Sequence, residues 1–495
     1  MFKKLSLSVW ILFVVSSIGF AKEKKITILH TNDMHSNFVP HEATWLKKDP
    51  KPMVGGFNEL YFLVDSIRKT QDVLFLDAGD VMTGNPITEY TYNGVYGGLL
   101  FQLMNDLKYD AWCFGNHDFD VSQENLFAIT KMVKFPTLSA NIVNAKNEFP
   151  LNNKPYTIFE KNGLRIGVIG ITSQLLFNLV NESNLTNIKV LPPIETTQKI
   201  IDEIDAKTDI IIALTHEGVE DDSALANGVT GLDVIVGGHS HTRLKKPSFV
   251  NDVIIVQAGG NCENLGVLNL TVDDDEVTEY DGELIQMWER DDHPKNKFKR
   301  TIDSMQAKID DDYSEVIAEL KTDWKRKDGE SGIGNFIADA QRNAASADVA
   351  FMNNHGIRKD VSAGPLTKRE MFEVLPFLNI ITTFQLSGKE LRDVVTYYIK
   401  ERPSIQTSGI ICEYRKKGGE IEFTKLEING KPIDEKKMYI CTASDYMVGE
   451  AKRYIGVEVK TPIYSKKTVF EEVVKYAKKM KVINSKDEDR IQEIE

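Results

Sequence analysis

Short apolar runs recur along the first 290 positions, and each is followed by a polar break. The runs at 26–29, 73–76, 111–114, 210–214 and 234–236 are rich in β-branched and aromatic side chains. That length and composition predict buried strands. Between them lie stretches of helical spacing. Leu60, Leu63, Val64 and Ile67 mark one at 58–69, and others cover 97–107 and 123–133. This alternation predicts a layered α/β domain over 22–290, closed by strands and edges between 253 and 284.

The pattern changes at 291–300, where charged residues crowd around Pro294. From about 298 to 320, Ile302, Met305, Ile309, Val316 and Ile317 recur by threes and fours or sevens, which predicts a helix. Residues 291–320 therefore read as a linker and interdomain helix. A second α/β domain is expected over 321–495, with strands at 349–352, 410–414 and 438–442 and a helix around 390–399. Lys416-Lys417-Gly418-Gly419 reads as a hairpin turn. A chain of 495 residues suits two domains better than one core.

The N-terminus is a separate object. Lys3 and Lys4 precede an apolar run at 5–20, and Gly19 and Ala21 are the small residues of a cleavage site. Residues 1–21 read as a signal peptide, which predicts export to the periplasm, cell surface or medium. No second long apolar run follows, so no membrane span is expected in the mature form. A net charge of −13 disfavours a nucleic-acid duplex as partner. Four cysteines do not make a disulfide scaffold, although Cys412 and Cys441 fall in one domain and could pair, and Cys113 reads as a buried thiol.

The chemistry sits where the strands stop. Asp33 and His35 follow the first run, Asp80 the second, Asn116 and His117 the third, His216 the fourth, and His239 and His241 the fifth. Five of the nine histidines lie in these clusters. Imidazole, carboxylate and amide groups converging from several strand ends suit two divalent metal ions, with Asp80 the natural bridge between them. The mixed N/O donor set suits Zn²⁺ or Mn²⁺, and also Fe²⁺ or Co²⁺.

The segments Thr31-Asn32-Asp33-Met34-His35, Gly79-Asp80, Gly115-Asn116-His117-Asp118, Thr215-His216 and Gly238-His239-Ser240-His241 resemble the motifs of calcineurin-like metallophosphatases. More narrowly they resemble the 5′-nucleotidase family, which includes periplasmic UDP-sugar hydrolases and ecto-5′-nucleotidases. The resemblance covers essentially the whole mature chain. It implies an N-terminal four-layer α/β/β/α sandwich and a C-terminal α/β substrate-binding domain. It implies that Asp33, His35, Asp80 and His241 hold one metal, and Asp80, Asn116, His216 and His239 the other. His117 would then be the catalytic histidine, with Asp120 hydrogen-bonded to it, although Asp120 also reads as a helix N-cap. The family usually has Glu where this chain has Asp118.

In the second domain, Gly332-Ile333-Gly334-Asn335 and Asn353-Asn354-His355-Gly356-Ile357-Arg358 resemble the family's substrate-binding motifs. Arg358 would reach the phosphate and ribose, and Asn353 the base. Phe377 and Tyr446 would be the walls of the base slot, and Lys327 stands where the family has an Arg. The chain departs at 449–454: an ungapped match puts Lys452 in place of an Asp that binds ribose hydroxyls, with Glu450 a candidate substitute. The resemblance thus implies an exported phosphomonoesterase that converts 5′-nucleotides, and UDP-sugars as well, through attack by a hydroxide bridging two metals. Three alternatives stay open: a 2′,3′-cyclic-nucleotide phosphodiesterase with 3′-nucleotidase activity, a relative of sulfur-oxidation thiosulfohydrolases, and a non-catalytic surface binding protein.

Overall fold

The computed structural model describes residues 23–494 apart from 44, 49, 274, 291, 378, 402 and 403. The expected signal peptide lies outside the described residues. The first half is built on two six-stranded sheets. One runs in the order Glu276–Gln286, Asn264–Asp273, Lys24–Thr31, Val73–Asp77, Ala111–Cys113 and Thr137–Leu138. The other runs Tyr156–Lys161, Leu164–Thr172, Ile210–His216, Val234–Val236, Val253–Val256 and Ser248–Val250.

Strand alternation explains why the sheets stack. Successive side chains point to opposite faces, and here both faces are apolar. Ile26, Ile28, Leu74 and Leu76 of the first sheet share one core with Ile210, Ile212, Leu214 and Val234 of the second. The intervening Leu29, Val73 and Phe75 pack outward under the helices Phe57–Arg68 and Gly98–Leu107. Ile211, Ala213 and Ile235 face the helices Pro193–Ile204 and Val219–Gly228. The result is a four-layer α/β/β/α sandwich. Lys24–Thr31, Val73–Asp77 and Ala111–Cys113 are parallel, as are Ile210–His216 and Val234–Val236. Their C-terminal ends therefore open on the same rim, where ligands of α/β sheets gather.

The connecting helix is shorter than its apolar spacing predicts. It runs Lys297–Tyr313, starting at Asn296, whose side chain accepts from the Lys299 N–H at 2.8 Å. Val316–Leu320 is a strand, paired with Gly364–Thr367 and Val482–Ile483. Val316 and Ile317 fall on the helical period only by chance of spacing; β-branched residues favour the strand, and tertiary pairing decides. Phe298, Ile302, Ile309 and Tyr313 sit in a cluster that continues into both halves of the chain.

The second half carries a five-stranded sheet in the order Ile405–Ser408, Val349–Asn353, Met438–Ser444, Ile380–Ser387 and Ile463–Thr468. Its helices include Gly332–Ala345 and Gly388–Glu401. Ile410–Lys417 and Glu420–Ile428 form a hairpin, and Gly418 and Gly419 supply the positive φ its turn needs. All four cysteines are buried free thiols, so Cys412 and Cys441 do not pair. Among the described residues no helix is long and apolar enough to cross a membrane.

Candidate active site

Each candidate ligand lies at or just beyond a strand end, and the backbone there is unusual. Asp33, His35, Asp80, His239 and His241 all have positive φ, between 45° and 74°. For residues other than glycine this costs on the order of 1 kcal/mol or more each, and such conformations cluster at functional sites. Interlocking loops enforce it. Asp33 N–H donates to Gly79 O at 2.8 Å, and His35 N–H to Asp80 O at 3.0 Å. Asn32 bridges to the loop after Val253–Val256, donating to Gly259 O and accepting from Ala258 N–H.

Asp118 is the clamp of the second and third loops. Its buried carboxylate accepts from the backbone N–H groups of Gly115, Asp80, Val81 and Met82 at 2.8–3.2 Å. Gly115 has no room for a side chain, because a Cβ there would overlap the Asp80 carboxylate and amide. Beneath them, Asp77 accepts from Thr31 Oγ1 at 2.6 Å and from Gly79 N–H at 3.0 Å, bracing the loop that carries Asp80.

The side chains converge in two overlapping groups. Ligand atoms of Asp33, His35 and His241 lie within 4.8 Å of one another, as do those of Asp80, His216 and His239. His35 and Asp80 also group with His117, so Asp80 stands between the two. His35 Nε2 and His241 Nε2 face each other at 2.9 Å. His216 Nδ1 donates to Ala78 O at 2.6 Å, which turns Nε2 to Asp80 Oδ2 at 3.1 Å.

Protonation here follows burial and charge. Burial, then His241, pushes His35 down to about 3, and burial with His216 pushes His239 down to about 4, so both imidazoles stay neutral near pH 7. Burial works against a charge on His216, but Asp80 and Asp33 outweigh it and raise it to about 10. Burial likewise opposes the Asp80 anion, and His216, His117 and His35 hold it well below the carboxylate range. The donor set fits divalent cations on a separate ground. Asn116 Oδ1 and His239 Nδ1 are buried and make no hydrogen bond, although buried polar atoms are normally satisfied. A cation held there would answer both.

His117 is different. Its Nδ1 lies 2.7 Å from Asp120 Oδ2, and the same oxygen accepts from Thr83 Oγ1. Burial disfavours the imidazolium, but Asp120 and Asp80 outweigh it and raise the pKa. The expected second use of Asp120, as a helix N-cap, falls to Ser122, which caps Gln123–Met132.

A cavity of about 380 Å³ joins this rim to the second half of the chain. Asp80, Asn116, His117, Asp120, His239 and His241 line one side; Asn353, Arg358, Phe377 and Tyr446 line the other. Phe377 stacks on His117 with ring centroids 5.6 Å apart, and the Arg358 guanidinium lies 5.8 Å from the same ring. Tyr446 OH donates to Asn178 O at 2.9 Å, and Asn181 Nδ2 to Asp445 Oδ2 at 2.8 Å, tying the halves together beside the cavity.

Lys327 is not brought to this cavity; it is exposed and paired with Asp487. Lys452 is also exposed and outside the lining, and the half-buried Glu450 lies outside it too. Arg453 and Tyr454 enter instead, because the chain breaks between two short helices, Asp445–Gly449 and Ala451–Ile455. Arg453, Asn181 and Asp445 line the cavity without being expected there, although Arg453 falls in the divergent 449–454 stretch; Asp118 stands in the third motif, which does not reveal its part as a clamp.

Residues 26–243 match the family model for calcineurin-like phosphoesterases, and 314–457 that for the 5′-nucleotidase C-terminal domain. The chain is 30% identical to the 5′-nucleotidase of Mus musculus over 97% of its own length and 93% of that protein. The chain belongs to the 5′-nucleotidase family. It is 28% identical to the trifunctional nucleotide phosphoesterase protein YfkN of Bacillus subtilis over 75% of this chain, but spans only 27% of that longer relative. Among solved structures, the 5′-nucleotidase precursor of Thermus thermophilus superposes with a TM-score of 0.79 at 28% identity, covering 95% of this chain and 99% of that one. Membership makes the protein a metal-dependent phosphoester hydrolase, and it makes nucleotide phosphoesters the implied substrate class.

Proposed function

We propose that this is an exported phosphoesterase that releases phosphate from 5′-nucleotides, and that splits the pyrophosphate bond of UDP-sugars to give UMP and a sugar phosphate, with two divalent ions held at the sandwich rim. The observation that carries the reading is the shared cavity: candidate metal ligands, His117, Arg358 and two aromatic walls line a single space. Asp33, His35 and His241 with Asp80 would hold one ion, and Asp80, Asn116, His216 and His239 the other. Ions bound there supply Lewis acidity toward phosphoryl oxygens and lower the pKa of water.

The chain's own residues would do the rest. Arg358 presents a guanidinium suited to bidentate contact with phosphate oxygens. His117 keeps its Nδ1 proton on Asp120, which leaves Nε2 to bring a proton to the departing ester oxygen. Phe377 and Tyr446 offer faces for a base, a contact worth roughly 1–3 kcal/mol per base. Residues 22–290, 291–320 and 321–495 would act as catalytic domain, linker with helix, and substrate domain, with Val316–Leu320 reassigned to the last. A signal peptide at 1–21 would direct export.

Phosphate release tests the reading. The purified mature protein with Mn²⁺ or Zn²⁺ is assayed on 5′-nucleotides, 3′-nucleotides, 2′,3′-cyclic nucleotides, UDP-glucose and an aryl phosphate, beside Asp80→Asn and His117→Ala. Preferential turnover of 5′-nucleotides, lost in both variants, is the expected result. Preference for cyclic or 3′-nucleotides would replace it with the phosphodiesterase reading.

A further inference from the structure

The organic end of the cavity carries the wrong charge for a neutral sugar. Arg453 lines it from the short helix Ala451–Ile455, opposite the segment that carries Arg358. His355, three residues before Arg358 in the chain, also lines the cavity; burial, then both arginines, works against its charge. The guanidinium of Arg453 rests over the Tyr454 ring at 5.4 Å, and that of Arg358 over Phe377. Among the described residues neither guanidinium donates a hydrogen bond or pairs with a carboxylate. A guanidinium is a rigid fork of five donors that matches the oxygens of a phosphate or carboxylate.

The carboxylates of the cavity do not answer them. Asp80 and Asp120 belong to the metal end. Asp445 is the acid at the organic end, and both its oxygens are engaged: Oδ1 accepts from Ile380 N–H at 3.0 Å and Oδ2 from Asn181 at 2.8 Å. Arg358 lies over Phe377, which stacks on His117, and so belongs to the metal end of the cavity. Arg453, exposed on the rim of the cavity, lies instead over Tyr454, whose ring centroid is 6.2 Å from that of Tyr446.

We infer that the preferred substrate carries a second anionic group, remote from the scissile phosphate, and that Arg453 receives it. This rests on the phosphomonoesterase reading above and narrows its substrate class: an organic phosphate, with a stackable base, bearing a further phosphate or carboxylate on its organic part. A charge-assisted hydrogen bond of this kind corresponds to about 10- to 100-fold in kcat/KM.

The test compares adenosine 5′-monophosphate, adenosine 5′-diphosphate, adenosine 3′,5′-bisphosphate and an aryl phosphate, with products separated by chromatography, in the wild type, Arg453→Gln and Arg453→Lys. The readout is the ratio of kcat/KM for the bisphosphate to that for the monophosphate. The expected ratio is well above one in the wild type, falls about 10- to 100-fold in Arg453→Gln and is partly restored in Arg453→Lys. If the diphosphate alone gains the advantage, the second anion is adjacent to the scissile phosphate and the remote subsite is wrong. A ratio near one, or an Arg453→Gln variant that leaves the ratio unchanged, also overturns the inference. Turnover of the aryl phosphate alone would instead remove the nucleotide reading on which it rests.

Discussion

His117 Nδ1 and Asp120 Oδ2 lie 2.7 Å apart, and Thr83 Oγ1 holds the same carboxylate oxygen in place. The pair favours the charged imidazole. Because the His117 pKa is raised, the protonated form is full at acid pH and is lost as pH rises through that raised value. If this proton supports the leaving oxygen, kcat/KM falls on the alkaline side. Asp120→Asn removes the charge that raises the pKa, so the alkaline limb should move to lower pH by about one unit or more. A pH profile of the variant with an unmoved limb would separate His117 from the proton step.

Asp118 offers a test of how the site is built. Four backbone N–H groups end on its carboxylate, including that of Asp80. In Asp118→Ala they are buried without partners, and the loss should be about 3 kcal/mol or more. Denaturant unfolding measures it. The variant should also hold less metal, since the loops carrying Asp80 and Asn116 lose their common anchor. Full stability with full metal content would show that the clamp is redundant.

Chelation should act on stability as well as turnover. Ligands that bind only the folded state stabilise it by mass action, about 2.7 kcal/mol at a hundredfold excess over Kd. Removing the ions should therefore lower Tm, and Mn²⁺ or Zn²⁺ should restore it. Gly115→Ala pushes a methyl group into Asp80, so its Tm should no longer respond to either ion. A metal-dependent Tm in that variant would place the ions elsewhere.

Tyr446 has two separable parts. Its hydroxyl joins the halves of the chain through Asn178 O, and its ring lines the cavity. Tyr446→Phe loses one hydrogen bond, about 0.5–1.5 kcal/mol, and should raise KM by a few fold at most. Tyr446→Ala also loses the ring and should cost about a further 1–3 kcal/mol on nucleotides. Equal effects from the two variants would mean that the ring does not touch the substrate.

Much of this was legible in the sequence because the ligands sit at strand ends. A buried parallel strand is a short apolar run, and the first polar residue after it marks the rim; Asp33, Asp80, Asn116, His216 and His239 all stand at such breaks. The four-layer order was legible for the same reason. The limits of the connecting helix were not, because Val316 and Ile317 satisfy a helical period while belonging to a strand whose partners lie about 50 and 165 residues away. Arg453 was not legible either. It enters the cavity through a break between two short helices, which an ungapped comparison cannot see. Lys327 misled because its charge suits the site, while its position in the fold gives it to Asp487.

The central claim is that both halves of the chain complete one site. The ratio of kcat/KM for a 5′-nucleotide to that for a small aryl phosphate, measured in the wild type and in Phe377→Ala with Tyr446→Ala, tests it most directly. The prediction is a ratio far above one that collapses toward one in the double variant, with aryl phosphate turnover still abolished by Asp80→Asn. A ratio that survives loss of both rings would contradict the account, because the second half would then contribute nothing to recognition of the base.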